Sequence, residues 1–496
     1  MAPPSRKRAR GNGSGGGGGG ASDRHLPWLN ARNQDVLSTD YVEIDPINKA
    51  DLDGEKAPSQ VDFEYSATKP VLFGPMTKFA VKGCFYVKKD AASDWKEAEA
   101  ADIADVVLQY NWFEMLIKSV DVFHNNQRIT SSNEQRFISA YLNTMLYAYM
   151  DPDTKKFLCP QAAHPANCLP KEKNKWSTAS QSWKDYAAHV FKGASFYFDF
   201  FPMFQFPFYL GSNFVNDPNV PRLLPLDRLG KMHVRFTFFD KQDHIFRKPG
   251  AGVAAANKMY RFAFEEFKMC LEEVRLSPAL ERQLATKSRM EFPGVTRLQL
   301  VDTVPDASPT HKIVFQDIYL PEAILIFCLD KQVSSGTFNF GTTTDQNVFK
   351  DHRIRYLDFS FDNKKFCLKE PNFGKFREDR LVLKQLADYL MFPMFGIYPD
   401  PAKLNLSAIQ DGGAQSPFPH VYVPLCGNFA KKERLVPATD DGSCISRKSD
   451  LEIAIQFELA NSQPSAVYVC YAIYTDVGNI LDVKSQYFSS PYLRYM

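Results

Sequence analysis

Two periodicities run along the chain. The commoner is strict alternation of apolar and polar positions. Leu451, Ile453, Ile455, Phe457 and Leu459 alternate with Glu452, Ala454, Gln456 and Glu458, which predicts a strand with one face in a core and the other in water. His233-Val234-Arg235-Phe236-Thr237-Phe238 repeats the pattern. Residues 467–474, rich in β-branched and aromatic side chains, predict another strand. Residues 313–319 and 324–329 read as a strand pair around Pro321. The second of these lacks alternation, so burial on both faces is expected. Residues 115–123 and 268–276 are further strands.

The helical period occurs twice. Over residues 133–149, Phe137, Tyr141, Met145 and Leu146 share a face, and Ser131 with Glu134 makes a capping box. Over residues 379–391, Leu383, Leu386, Ala387 and Leu390 share a face, and Pro393 ends the run. These helices begin about 245 residues apart, near half the chain, and each has strands on both sides. That order points to one β unit with an inserted helix, used twice. The boundary is expected between Leu276-Ser277-Pro278 and Phe292-Pro293-Gly294, across the polar stretch 281–289.

Composition agrees with a folded β-rich protein. The 496 residues are 44% hydrophobic, 23% charged and 14% aromatic, with 41 Phe, and aromatic residues favour strands. The net charge of +2 is unevenly placed. Residues 1–20 carry Arg6, Lys7, Arg8 and Arg10 with no acid, so the body sums to −2. This excludes a body that binds nucleic acid by bulk charge and leaves a basic tail on a near-neutral one. Residues 1–30, with the glycine run 15–20, predict a flexible arm. Its basic cluster reads as a nuclear-import signal or a nucleic-acid contact; the bland alternative is a solvated tail.

Catalytic signatures are missing. There is no P-loop, G-x-G-x-x-G, G-x-S-x-G or H-E-x-x-H, and the nine dispersed cysteines contain no C-x-x-C. Reduced thiols in a cytosolic or nuclear setting follow from that cysteine pattern. No cofactor, metal or catalytic residue is expected. Asp51-Leu52-Asp53-Gly54 opens like a calcium loop but lacks the later Glu, and Asp440-Asp441-Gly442 reads as a turn. His124, beside Asn125-Asn126, reads as a polar residue of a hairpin. The most apolar stretch, residues 196–210, holds Asp199, Pro202, Gln205 and Pro207, and is too short and too broken to span a bilayer. The charged, glycine-rich start is no signal peptide.

The order of short motifs resembles the double jelly-roll major capsid proteins of Polinton (Maverick) elements, adintoviruses and related double-stranded DNA viruses. The resemblance covers about residues 70–485. It is carried by residues 112–129, a strand and polar hairpin; by residues 137–146 of the first helix; and by Leu223-Leu224-Pro225-Leu226 before the strand at 232–238. Residues 267–278 resemble the strand that closes the first roll, and Phe292-Pro293-Gly294-Val295-Thr296 the opening of the second. Residues 318–327 resemble the second roll's leucine-proline strand pair, and residues 449–457 with 471–474 and 479–483 its C-terminal hairpin. Ser449-Asp450 stands where members usually have Gly-Asn, and the polyglycine arm is more typical of parvovirus capsid proteins.

The resemblance implies an all-β chain of two consecutive eight-stranded jelly-roll sandwiches, each with an inserted helix, after a disordered arm: residues 1–30, 31–282 and 283–496. It implies a structural role: a homotrimer of pseudo-hexagonal outline, trimers tiling an icosahedral shell, a penton partner, packaged double-stranded DNA touched by the arm, and residence in the virion and, during assembly, the host nucleus. The aromatic run Phe196, Tyr197, Phe198, Phe200, Phe201, Phe204, Phe206, Phe208 and Tyr209 is a candidate subunit interface or the filling between the rolls. Two other readings stay open. One is a single jelly-roll capsid protein of penton or parvovirus type. The other is a tandem β-sandwich that binds or hydrolyses carbohydrate. The latter needs facing carboxylates, whereas Glu265-Glu266 and Glu272-Glu273 are adjacent on a strand and should point to opposite faces.

Overall fold

The computed structural model describes residues 36–48, 59–73, 78–104, 107–108, 112–128, 191–200, 222–224, 226–240, 242, 245–247, 258–286, 289–304, 310–321, 323–330, 354–366, 420–424, 435–437, 444–446, 448–457, 466–482, 487–488 and 492–493. The arm, both expected long helices, and the segments at 51–54 and 440–442 lie outside the described residues.

Strands of the first half are β1 (Val36–Ile44), β2 (Gln60–Ser66), β3 (Val71–Phe73), β4 (Lys78–Lys88), β5 (Lys96–Glu97), β6 (Val107–Leu108), β7 (Ile117–His124), β8 (Gln127–Arg128), β9 (Phe191–Lys192), β10 (Ser195–Phe200), β11 (Arg222–Leu224), β12 (Lys231–Phe238), β13 (Phe246–Arg247) and β14 (Met259–Leu276). Those of the second are β15 (Arg289–Val304), β16 (Thr310–Tyr319), β17 (Ala323–Asp330), β18 (Ile354–Phe361), β19 (Lys364–Phe366), β20 (His420–Pro424), β21 (Leu435–Pro437), β22 (Cys444–Ser446), β23 (Lys448–Phe457), β24 (Ala466–Asp482), β25 (Tyr487–Phe488) and β26 (Tyr492–Leu493). Among the described residues four short helices accompany them: α1 (Ala100–Ala104), α2 (Trp112–Leu116), α3 (Leu226–Leu229) and α4 (Pro278–Ala285).

The duplication expected from element order is present as identical topology. Successive strands β3 and β4 occupy one edge of β14, and β11 and β10 flank them, so each pair acts as one interrupted strand. Counting them so, the eight principal strands of either half form two antiparallel sheets in the orders 1-8-3-6 and 2-7-4-5. In the first half these are β1-β14-β4-β10 and β2-β12-β7-β8; in the second, β15-β24-β17-β20 and β16-β23-β18-β19. Among the described residues every strand pairing stays within 36–276 or within 289–493.

The halves also share a turn. Strands four and five join through Asn125-Asn126 (φ 45° and 67°) in one and Asp362-Asn363 (φ 53° and 58°) in the other. Two left-handed residues in a row make the tight turn whose twist matches a hairpin, and Asn and Asp tolerate it. In both halves the first turn residue donates its backbone N–H to the strand-seven entry: Asn125 to the Lys231 carbonyl at 2.9 Å, Asp362 to the Asp450 carbonyl at 3.4 Å.

Alternation places the cores. Met232, Val234, Phe236 and Phe238 of β12 are buried, as are Leu451, Ile453 and Ile455 of β23. In the first roll the sheets meet through rings: Phe79 lies 4.8 Å from Phe236, and Phe63 5.3 Å from Phe267, both edge to face, the arrangement favoured by the ring quadrupole.

Several expectations need correction. Residues 112–116 form a fully buried helical turn before β7; a short apolar run does not distinguish strand from buried helix. The polar stretch after Leu276 begins as α4. Ser277 Oγ accepts the Leu280 N–H at 3.3 Å as its N-cap, Pro278 stands in its first turn, and Leu280 and Leu284 are buried. The strands at 313–319 and 324–329 do not pair: β16 and β17 lie in opposite sheets. The same holds for β23 and β24, read as a hairpin. Apart from the hairpin of strands four and five, consecutive principal strands here cross between sheets, so most pair with strands distant in sequence. β17 does sit centrally, between β20 and β24.

Candidate assembly surface

Arg6, Lys7, Arg8 and Arg10 lie outside the described residues, as do Phe201, Phe204, Phe206, Phe208 and Tyr209. Phe196, Tyr197, Phe198 and Phe200 lie on β10, and strand alternation splits them. Phe196 and Phe198 are each 2% exposed and point into the first roll. Their rings stand edge-on to Trp112 at 5.5 and 5.6 Å, and Phe198 lies 4.9 Å from Phe113. Tyr197, between them, is 63% exposed. The backbone of Phe200 faces Phe79 at the end of the ladder; the chain re-enters the same edge at Arg222.

Tyr197 belongs to the outer face of the β1-β14-β4-β10 sheet. Tyr41 of β1 is also exposed there, and its phenol is pushed up by burial and by its hydrogen bond with Cys270. Charges alternate across the face. Lys78 meets Asp199 at 2.5 Å, Lys82 meets Glu265 at 2.6 Å, and Lys268 reaches both Glu266 at 2.8 Å and Glu43 at 3.0 Å. Glu265 and Glu266 share this face because β14 bulges between Phe264 and Glu266. The extra residue lets Phe264 and Phe267 both enter the core. The adjacent carboxylates therefore do not point apart, and each is held by a lysine.

The outer face of the other sheet is a polar ladder. Asp62 of β2 accepts from Arg235 Nε at 2.8 Å and lies 2.9 Å from His233 Nε2. Burial opposes its charge, but bonds from Arg235, Gln60 and His233 outweigh it and hold the carboxyl below the usual range. Phe123 stacks on His233 at 5.3 Å.

Two polar residues named from the sequence are buried, which their local pattern did not show. Glu273 is 8% exposed and accepts the Tyr65 hydroxyl across the two sheets. His124, at the hairpin, is wholly buried, and burial drives its imidazole down to about 3. Among the described residues no group of three or more His, Cys, Asp or Glu could hold a metal ion, and no helix is long and apolar enough to cross a membrane.

No family model matches the chain, and no curated protein matches it. Solved structures do. A chain of the 3.5 Å cryo-EM structure of the Sputnik virophage superposes with a TM-score of 0.57 at 11% identity, over 96% of this chain and 91% of that one. The mavirus major capsid protein, a crystal structure, superposes with a TM-score of 0.51 at 12% identity, over 99% and 97%. Likeness at such identity is likeness of fold, and with the twice-repeated strand order it makes this chain an all-β double jelly roll.

Proposed function

We propose that the chain is a major capsid protein of the Polinton or adintovirus type. Its role is structural, with no reaction catalysed. Three copies form a pseudo-hexagonal trimer, and trimers tile an icosahedral shell around double-stranded DNA, with a penton protein as a further partner. The observation that carries this is one chain holding two rolls of the same strand order, matched nearly end to end by the mavirus major capsid protein. Two similar rolls give each subunit two of six roughly equivalent positions around a three-fold axis.

The division is residues 1–30, 31–282 and 283–496, with α4 between the rolls. Arg6, Lys7, Arg8 and Arg10 contact phosphates without sequence preference or engage an import receptor. Phe200, Phe201, Phe204, Phe206, Phe208 and Tyr209 belong to a subunit or inter-roll interface, with Tyr197 on the open sheet face. The chain resides in the virion after assembly in the host nucleus. Light scattering with electron microscopy tests the reading. A mass of about 169 kDa, three times 56.4 kDa, with hexagonal outlines or closed shells is expected; a stable monomer overturns it.

A further inference from the structure

Among the described residues β1 lies at the edge of its sheet and pairs only with β14. Leu37 through Tyr41, five residues in a row, are exposed, so both faces and the outer edge meet solvent. Four large hydrophobic side chains are exposed among the described residues, and three (Leu37 at 57%, Tyr41 at 45%, Ile47 at 61%) lie in or just after this strand. Edges that must stay single usually carry lysine, proline or inward charge. β1 has neither Lys nor Pro, and its acids are matched from its own chain: Asp40 by Lys69, Glu43 by Lys268. Its outer N–H and C=O groups, unpaired among the described residues, call for another backbone strand, and its balanced charge calls for neither nucleic acid nor a basic peptide.

Residue order names the strand. A contact across a two-fold axis must be complementary to itself. Val36-Leu37-Ser38-Thr39-Asp40-Tyr41-Val42 has the same apolar and polar order in both directions. An antiparallel register centred on Thr39 sets Leu37 opposite Tyr41, Val36 opposite Val42 and Ser38 opposite Asp40. A register centred on Asp40 would set two carboxylates face to face, which is destabilising. The pairing to β14 shifts at Leu37, so residues 38–42 form the regular part of the contact.

We propose that β1 pairs antiparallel with β1 of a second copy of this chain across a two-fold axis, joining two first-roll sheets edge to edge. The proposal rests on the shell-forming reading and deepens it: trimers close on three-fold axes, and a two-fold contact is what links one trimer to the next.

The test compares the full chain with the double variant Leu37→Lys/Thr39→Lys. Both positions are exposed, so melting should be unchanged. Trimers of about 169 kDa should persist while closed shells are lost, because each contact weakens by at least about tenfold. Separately, Thr39→Cys should yield an oxidative cross-link to itself in assembled material, identified by peptide mass, since facing Cβ atoms lie about 4.5–5.5 Å apart. Shells from the double variant at the wild-type yield, or no Thr39→Cys cross-link in assembled shells, would overturn the inference while leaving the trimer reading intact. A wild-type chain that never forms trimers yet cross-links at this position would remove the shell reading and keep the strand pairing.

Discussion

Gly83 offers a prediction whose sign can be worked out in advance. It lies in β4, facing Phe196 on β10 and Phe264 on β14. In an ordinary strand, Gly→Ala stabilises by about 0.5–1 kcal/mol, because glycine loses more backbone freedom on folding. Here the added Cβ would sit 2.5 Å from Phe196 Cζ and closer still to the carbonyl oxygen of Ala263. The ring cannot swing away without leaving its contact with Trp112. The carbonyl cannot withdraw without opening the β4–β14 ladder next to the bulge. Overpacking of this kind costs about 1–3 kcal/mol, and a backbone obstacle puts Gly83→Ala at the upper end, about 2–3 kcal/mol net. In a roll of this size that is a fall of about 4–12 °C in Tm. Because two rolls can unfold separately, hydrogen exchange should accompany the melt. Faster exchange is expected in β4, β10 and β14, with β23 and β24 unchanged. A Tm equal to or above the wild type would refute the reasoning.

Three further outcomes follow from the same geometry. Tyr65→Phe removes the donor to the buried Glu273 and should cost about 1.5–3 kcal/mol in equilibrium denaturation; an unchanged midpoint would mean that the bond contributes nothing. His124 is held near 3 by burial against about 6.5 when unfolded. Its contribution is therefore full above about pH 6.5 and is lost as pH falls toward 3, by up to about 1.4 kcal/mol per unit. Melts from pH 4 to 7 should show this slope, reduced in His124→Met; equal slopes would refute it. Deleting residues 1–20 should lower nuclear accumulation or the DNA content of particles, and no change in either would make the arm a spacer.

What the sequence made legible was the face each residue takes, not the neighbour each strand takes. Alternation placed Phe236 and Ile453 inward without ambiguity, because a period of two is local. Apart from the two hairpins of strands four and five, pairing among the principal strands is not local. Residue Ile324 lies beside Ala472, and no pattern within either segment records that. The β14 bulge was hidden for a related reason. Glu265 and Glu266 look like opposite-facing neighbours until Lys82 takes the register of Glu266. α4 was the reverse case: its signals, Ser277 at the cap and Pro278 behind it, were present in a stretch read only as the boundary between the halves.

The aromatic run shows why the distinction matters for function. Counted by composition, residues 196–209 form one apolar slab. Resolved by pleat, Phe196 and Phe198 are interior rings of one roll, and Tyr197 and Asp199 belong to its outer face. The described part of the run thus contributes two rings to the core and one exposed side chain, Tyr197, to the outer face. An assembling surface should then be sought where exposure is consecutive rather than alternating. Among the described strands of the first roll, that condition is met at β1, where five successive residues face solvent. An edge with that pattern offers a second strand its outer backbone groups, unpaired among the described residues, together with its exposed Leu37 side chain.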